Sequence, residues 1–506
     1  MLVLFTTFIL KKNSTVAKEL WKSSTTMTQN RIAKSFAAAR SIEPRRLNPS
    51  RCTKASQLEF DSQKLNLSLV RGLKLNCTKQ NRHWHRAHLH RTLTTEVVKM
   101  DVDVVALVDH ELEELVRKGD IELLDIASGP CTNGVNRSND QSIDGGEEAP
   151  DSASGQDRES NLLLQHIEPA SVDLPVGREC YLVRDKVLPH RQSIRALVQA
   201  ENSDLVLERK DVDPAQGVLL LKGQTYLFPC AKLDLEEGLN GSLSPKSSIG
   251  RVDLMVRGIF DGCGLYDTVE GSGELWMEVS PRSFNVRVHA HQPLSQLMIF
   301  RKQTPCEDAP LSPTSLSRNI LCYDAKGEAI SFPQVHRGAL VLSLNLTAER
   351  PDGVLGFEAV PTSAVIDLGS LRSHDAERYF RPIPASSAVT LEKDKFYILA
   401  TKERVSIPNH LSAEMVPFSS RVGELRAHYA GFFDPGFGYG HDGSIKGTVG
   451  VLEVRPHETV TVYDGQPICL MEFFNNSSLP ARPYGHPEKS NNYQAQQGPK
   501  LAKYFK

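Results

Sequence analysis

Glu274-Leu-Trp-Met-Glu278-Val-Ser-Pro281 carries the two-residue alternation of a β-strand. Successive strand residues face opposite sides. Leu275, Met277 and Val279 therefore share one face, and Trp276 and Glu278 share the other. A carboxylate set among large apolar residues is costly to bury unless it is paired or put to use. The same text returns 175 residues later as Leu452-Glu453-Val-Arg-Pro456. Three further matches lie in the same order. Ala170-Ser-Val-Asp173-Leu resembles Ala364-Val-Ile-Asp367-Leu, Lys222-Gly-Gln-Thr-Tyr226-Leu resembles Lys393-Asp-Lys-Phe-Tyr397-Ile, and Pro245-Lys-Ser247-Ser248 resembles Pro417-Phe-Ser419-Ser420. Four ordered matches, three at nearly constant offset, predict two copies of one unit. The competing reading is two β domains that share generic turns.

Around these matches the text consists of short β-type runs broken by Gly, Pro and Asp. Gly217-Val-Leu-Leu-Leu, Thr225-Tyr-Leu-Phe, Phe284-Asn-Val-Arg-Val and Lys395-Phe-Tyr-Ile-Leu are examples. Many short strands without intervening helical periods predict an all-β sandwich or barrel. The two units are expected at 161–303 and 319–480, joined by a proline-containing linker at 304–318. Asp109 to Gly119, within an N-terminal segment at 103–127, reads as one short helix with Asp109 capping its first turn and Gly119 ending it. Residues 128–160 are acidic and almost free of large apolar side chains, which predicts a flexible insertion. The tail, 481–506, reads as too polar to supply a core element. It is expected to be either a disordered end or a lid that folds over a ligand.

The 506 residues exceed one small module at about 150 residues per domain. No apolar run reaches the roughly 18 residues of a membrane span. With 59 Lys+Arg against 61 Asp+Glu, the net charge of −2 argues against nucleic-acid binding. Nine scattered cysteines without a C-x-x-C pair argue against a disulfide framework and a thiolate zinc site. The total hides a polarised chain. Residues 1–95 hold 18 Lys/Arg and 4 Asp/Glu, an excess of 14, so the remainder carries −16. A basic, Ser-rich, acid-poor leader over 1–100 has transit-peptide composition and points to a chloroplast or mitochondrion, with a cytoplasmic protein as the alternative. His83, His85, His88 and His90 fall in this leader, where metal binding is the lesser reading.

Four places could do chemistry. Ser244-Pro-Lys246-Ser247-Ser248-Ile-Gly250-Arg251 offers two hydroxyls, two cations and a glycine between strands. Such groups grip phosphate, each charge-assisted hydrogen bond contributing roughly 1.5–3 kcal/mol. By composition alone this is as readily a polar turn. Glu278 and its partner Glu453 could act in acid–base chemistry or form structural ion pairs. Phe432-Phe433-Asp434-Pro435-Gly436-Phe437-Gly438 is a turn whose aromatic residues could line a base pocket. The tail contributes Tyr493, Gln497 and Lys500.

At these residues the chain resembles the deoxycytidine triphosphate deaminase branch of the dUTPase-like superfamily, in its long two-domain form. The resemblance runs from about Asp103 to Lys506, less the acidic insertion. It rests on Gln165-His-Ile-Glu-Pro169-Ala-Ser-Val-Asp173-Leu, Pro245 to Arg251, Met277 to Phe284, His428 to Gly438 and Tyr493 to Lys500. It implies two tandem distorted jelly rolls, a trimer-like homo-oligomer, and hydrolysis of dCTP to dUTP and ammonia in supply of dTMP synthesis. The chemistry would belong to hydrolases acting on C–N bonds of cyclic amidines. Glu278 and Glu453 match the family's catalytic glutamate, and Arg251 its neighbouring arginine. Lys246, Ser247, Ser248, Ser419, Ser420, Asp434, Tyr493, Gln497 and Lys500 match nucleotide-binding positions. Mg2+ would accompany the triphosphate, and no zinc is implied. Zinc deaminases need H-x-E followed by P-C-x-x-C; His486-Pro-Glu488 fits the first half, and the second half is absent.

The second repeat departs from this pattern. Phe418 replaces the basic residue before the serine pair, and Gly423 stands where Arg251 would fall, with Arg421 and Arg426 nearby. A composite site and two independent sites are both open at this stage. So are a dUTP pyrophosphatase, for which Tyr266, Asp267 or Asp434 could be argued, and a non-catalytic nucleotide binder.

Overall fold

The computed structural model describes residues 104–124, 164–189, 191–200, 204–302, 319–331, 333–347, 350, 352–417, 427–428, 431–488 and 492–506. The leader, the acidic insertion, the linker and Ser419 with Ser420 lie outside the described residues.

Both repeats form β-structure of the same layout. In the first, a sheet runs in the order Val206–Asp211, Glu179–Val183, Thr225–Asp234, Ser272–Pro281 and Leu254–Phe260. In the second, the order is Phe380–Pro384, Val354–Ala359, Tyr397–Val405, Thr448–Val454 and Ala427–His428. The repeat holds down to single bonds. Tyr226 and Tyr397 each accept a backbone N–H from five residues upstream, Leu221 at 2.9 Å and Glu392 at 2.8 Å. Gly223 and Asp394 each take a positive φ and donate to the carbonyl at or just past the end of the glutamate strand, Pro281 at 2.9 Å and Pro456 at 3.0 Å. A left-handed residue is needed at both turns. The constant offset in the text thus reflects one turn packed against one strand end, made twice.

The two units share more than a linker. Val104–Ala106 lies antiparallel to Pro293–Lys302 of the first repeat and parallel to Pro467–Asn476 of the second, so one sheet crosses both. Asn285–Val288 runs parallel to Val365–Asp367, a second seam. The largest apolar cluster mixes Leu275, Met277 and Val279 with Ile366, Tyr379, Ile398 and Val451. Phe284 meets Tyr379 and Phe380 edge-on at centroid distances of 5.5 and 5.3 Å. Such pairs add about 0.5–1.5 kcal/mol each beyond their buried area.

Two expectations change. The helix is Asp109–Lys118, ended by Gly119 at φ 83°, but Asp109 is not its cap. The helix begins one residue too early for that. The buried Asp109 carboxylate accepts one first-turn N–H, that of His110 at 2.9 Å, and also the N–H groups of Ala481 and Arg482 at 2.9 and 2.8 Å. The tail also supplies core. Tyr504 and Phe505 are buried in the shared cluster, with Phe505 stacked edge-on against Phe380 at 5.4 Å. Average polarity concealed two apolar anchors in the last residues of a polar stretch.

Candidate active site

The Pro245 to Arg251 stretch leaves the strand Leu239–Pro245, makes the single helical turn Ser247–Gly250, and enters the strand Leu254–Phe260. The turn buries Ser248 and Arg251. In the second repeat, Val449, Val451, Glu453 and Arg455 alternate onto one face of the chain through Thr448–Val454, opposite Leu452 and Val454. The latter two enter the second repeat's own core, whereas Val451 packs in the cluster shared with the first repeat. Glu453 is consequently aimed at the first repeat, and it meets Arg251.

Arg251 Nε stands 3.7 Å from Glu453 Oε1, with both side chains buried. Tyr493 lies flat on the guanidinium, its ring centroid 3.8 Å from Cζ. Arg251 Nη1 donates to the Lys500 carbonyl at 2.8 Å and to Gln496 Oε1 at 3.4 Å. The tail is held in this position by its own bonds. Gln494 accepts from the Gly438 N–H at 2.9 Å and donates to the Gly436 carbonyl at 3.0 Å, fastening the tail to the Asp-Pro-Gly turn. Gln496 donates to the Val449 carbonyl at 2.9 Å. Of the expected tail residues, Tyr493 and Lys500 reach Arg251, whereas Gln497 is exposed along a groove of about 590 Å3 with Arg350 and Gly498. Gln496 is the residue missed by the sequence reading. Only the path of the tail shows which of two adjacent glutamines turns inward.

Beside this pair lies a cluster of charge. Lys246 is bonded to Asp173 and faces Glu168 at 3.4 Å. Burial opposes its charge, but the two carboxylates outweigh burial and raise its pKa. Asp434 is half-buried, and burial, reinforced by Glu168, pushes its carboxyl up to about 7. Lys503 from the tail is lowered by burial and by the charge of Lys246. Burial raises the pKa of the Tyr504 hydroxyl, and the neighbouring Ser248 side chain works against that shift. Lys246, Ser247, Ser248, Arg251, Asp434, Tyr493 and Lys500 therefore belong to one region built from both repeats and the tail.

Glu278 has a different setting. It is equally buried, but its carboxylate accepts the Val187 N–H at 2.9 Å and pairs with Lys186 at 3.1 Å. Tyr266 is pushed up to about 12, by burial first and the Glu278 charge second. Trp276, on the same strand face, is covered by Val187, Ile194 and Val198 from the chain's own 187–198 stretch. The carboxylate that would activate water is occupied by local partners.

This arrangement belongs to the dUTPase-like all-β class. The N-terminal domain profile of 2'-deoxycytidine 5'-triphosphate deaminases matches residues 153–303, and the C-terminal domain profile matches 319–505. Together they take in two-thirds of the chain, which belongs to the dCTP deaminase family. It is similar to the crystal structure of the 2'-deoxycytidine 5'-triphosphate deaminase from Agrobacterium tumefaciens, with a TM-score of 0.59 and 27% identity over 74% of this chain and 97% of that one. Two proteins named "dCTP deaminase, dUMP-forming" are also similar. That of Methanosphaera stadtmanae is 32% identical over 127 residues, 23% of this chain and 61% of the relative. That of Leifsonia xyli subsp. xyli is 34% identical over 128 residues, 25% of this chain and 60% of the relative. The chain spans about 60% of the length of these two relatives.

Proposed function

We propose that this chain hydrolyses the exocyclic amino group of dCTP, releasing ammonia, at one composite site per chain. The observation that carries this reading is the meeting of Arg251 from the first repeat and Glu453 from the second beneath Tyr493. Glu453 takes a proton from water as the oxygen bonds to C4 of cytosine. Glu453 delivers that proton to the ring nitrogen N3; the C4 hydroxyl then gives up its own proton, relayed by Glu453 to the amine, so that C4=O forms as the C4–N bond breaks and ammonia leaves. The balance is dCTP plus water to dUTP plus ammonia. A positioned acid–base group typically contributes about 10²–10⁴-fold to such a step. Arg251 supplies fixed positive charge beside the developing charge. Lys246, Ser247, Ser248 and Lys500 would exchange or extend their present contacts to grip the triphosphate, with dTMP synthesis as the use of its product.

Among the described residues no three His, Cys, Asp or Glu side chains converge as metal ligands. Asp173 and Glu168 are engaged by Lys246. The donor set thus fits a Mg2+ ion that travels on the phosphates better than a resident zinc. The names of the two relatives raise a second product, dUMP. The test is incubation of the full chain with dCTP and Mg2+, with ammonia, dUTP, dUMP and pyrophosphate each quantified. Ammonia with dUTP supports a pure deaminase, and ammonia with dUMP and pyrophosphate adds the second hydrolysis. Pyrophosphate from dUTP without ammonia from dCTP overturns the reading. We further propose import into an organelle and a homo-oligomeric assembly, checked by localisation of a tagged chain and by light scattering.

A further inference from the structure

Arg251 and Glu453 belong to different repeats, and no strand ladder joins Leu254–Phe260 to Thr448–Val454. Something else must hold the two side chains opposite one another. Two residues beyond each lies a second pair of opposite polarity. Asp253 follows Arg251, Arg455 follows Glu453, and the Arg455 guanidinium is bonded to the Asp253 carboxylate. Both are buried. Ser283 completes the group, donating to Asp253 at 2.5 Å and accepting from Arg455 at 2.9 Å. The other arm of Arg455 donates to the Asp394 carbonyl, so the guanidinium spans both repeats.

The charge order along one side is plus then minus, and along the other minus then plus. Only one register satisfies both pairs. A slip of two residues would set Arg251 against Arg455 or Asp253 against Glu453, burying like charges. Buried ionic groups of this kind are best attested as devices that select register. The Glu278 strand has no equivalent. The position matching Arg455 is Ser280, whose hydroxyl pairs with Thr225 at 3.0 Å within the first repeat.

We propose that the Asp253–Arg455 pair is a positioning device that sets the register of the two repeats and thereby holds Glu453 against Arg251 for the reaction. The proposal rests on the deaminase reading of the Glu453 site. Neither residue touches substrate; they act through their neighbours. Asp253→Asn keeps the side-chain shape and tolerates the residue's φ of 54°. Arg455→Lys keeps the charge and loses the fork that reaches three partners at once.

The experiment is steady-state deamination of dCTP by the full chain, with thermal unfolding followed in parallel. Each variant is expected to lower kcat by about tenfold to a hundredfold, the cost of a reacting group misplaced by about 1 Å. KM should change by less than about threefold, because binding is retained while transition-state contacts are lost. Ser280→Ala should leave both constants unchanged. Unchanged kcat in both variants overturns the proposal. So does a kcat that recovers fully when rates are normalised to the folded fraction. If the wild-type chain releases no ammonia, the underlying reading fails and takes the proposal with it. An active wild type with unaffected variants sinks the proposal alone.

Discussion

Glu278 and Glu453 occupy the same place in the same repeat, are equally buried, and have opposite fates. Each projects from the outer face of its strand, away from the apolar face that builds the core. What differs is what covers that outer face. Over Glu278 it is the chain's own 187–198 stretch, with Lys186 and the Val187 N–H satisfying the carboxylate. Over Glu453 it is the other repeat, which brings Arg251, and the tail, which brings Tyr493 and Gln496. A carboxylate saturated by local donors is a structural ion pair. Glu453 instead faces, at 3.7 Å, a cation carried by the other repeat. Duplication copied the residue, and the layer that covers it differs between the two copies.

The comparison is broken most directly by exchanging the two acids separately. Glu453→Gln should reduce ammonia release by at least about 10²–10⁴-fold, whereas Glu278→Gln should leave kcat within about threefold. Equal losses would mean two working sites. Arg251→Gln should come next, with kcat down about 10²-fold, since one preorganised charge beside the reacting group is removed. Tyr493→Ala should act mainly on dCTP affinity, raising KM by about tenfold through loss of a stacked, lid-closing contact worth about 1 kcal/mol or more. Isothermal titration with a non-hydrolysed nucleotide would separate that effect from chemistry.

Smaller effects sharpen the contrast. Lys186→Ala should leave kcat unchanged and lower stability by only about 1 kcal/mol, because Lys186 is 40% exposed and the Val187 N–H still serves the carboxylate. Thermal unfolding at low and moderate salt measures it. Asp434 gives a signed pH effect. Its carboxyl is raised to about 7 in the folded chain, so the folded state holds a proton that the unfolded state has released. Stability from this group therefore falls as pH rises from about 4 to about 7 and is level above that. Asp434→Asn should flatten the decline, read as the pH dependence of the unfolding midpoint.

Much of this was legible in residue order because it is local. Period-two alternation in Glu274 to Pro281 separated the Leu275 face from the Glu278 face, as the packing of Leu275 and Trp276 into different clusters bears out. The match of Lys222 to Tyr226 with Lys393 to Tyr397 announced a turn that the fold makes twice. The errors came where a partner lies far along the chain. Asp109, one residue inside its helix, serves the His110 N–H but spends most of its carboxylate on backbone more than 370 residues away. The tail was expected to be too polar for the core, yet Tyr504 and Phe505 are buried in it.

Strand pattern, duplication and the kinds of side chain able to handle a nucleotide were written into the amino-acid order, since each depends on neighbours within a few residues. Which glutamate meets an arginine of the other repeat, which glutamine turns inward, and what roofs the pair were settled by folding alone. Those facts depend on which surfaces cover each other, and a pair such as Arg251 and Glu453, two hundred residues apart, leaves no local trace of its meeting.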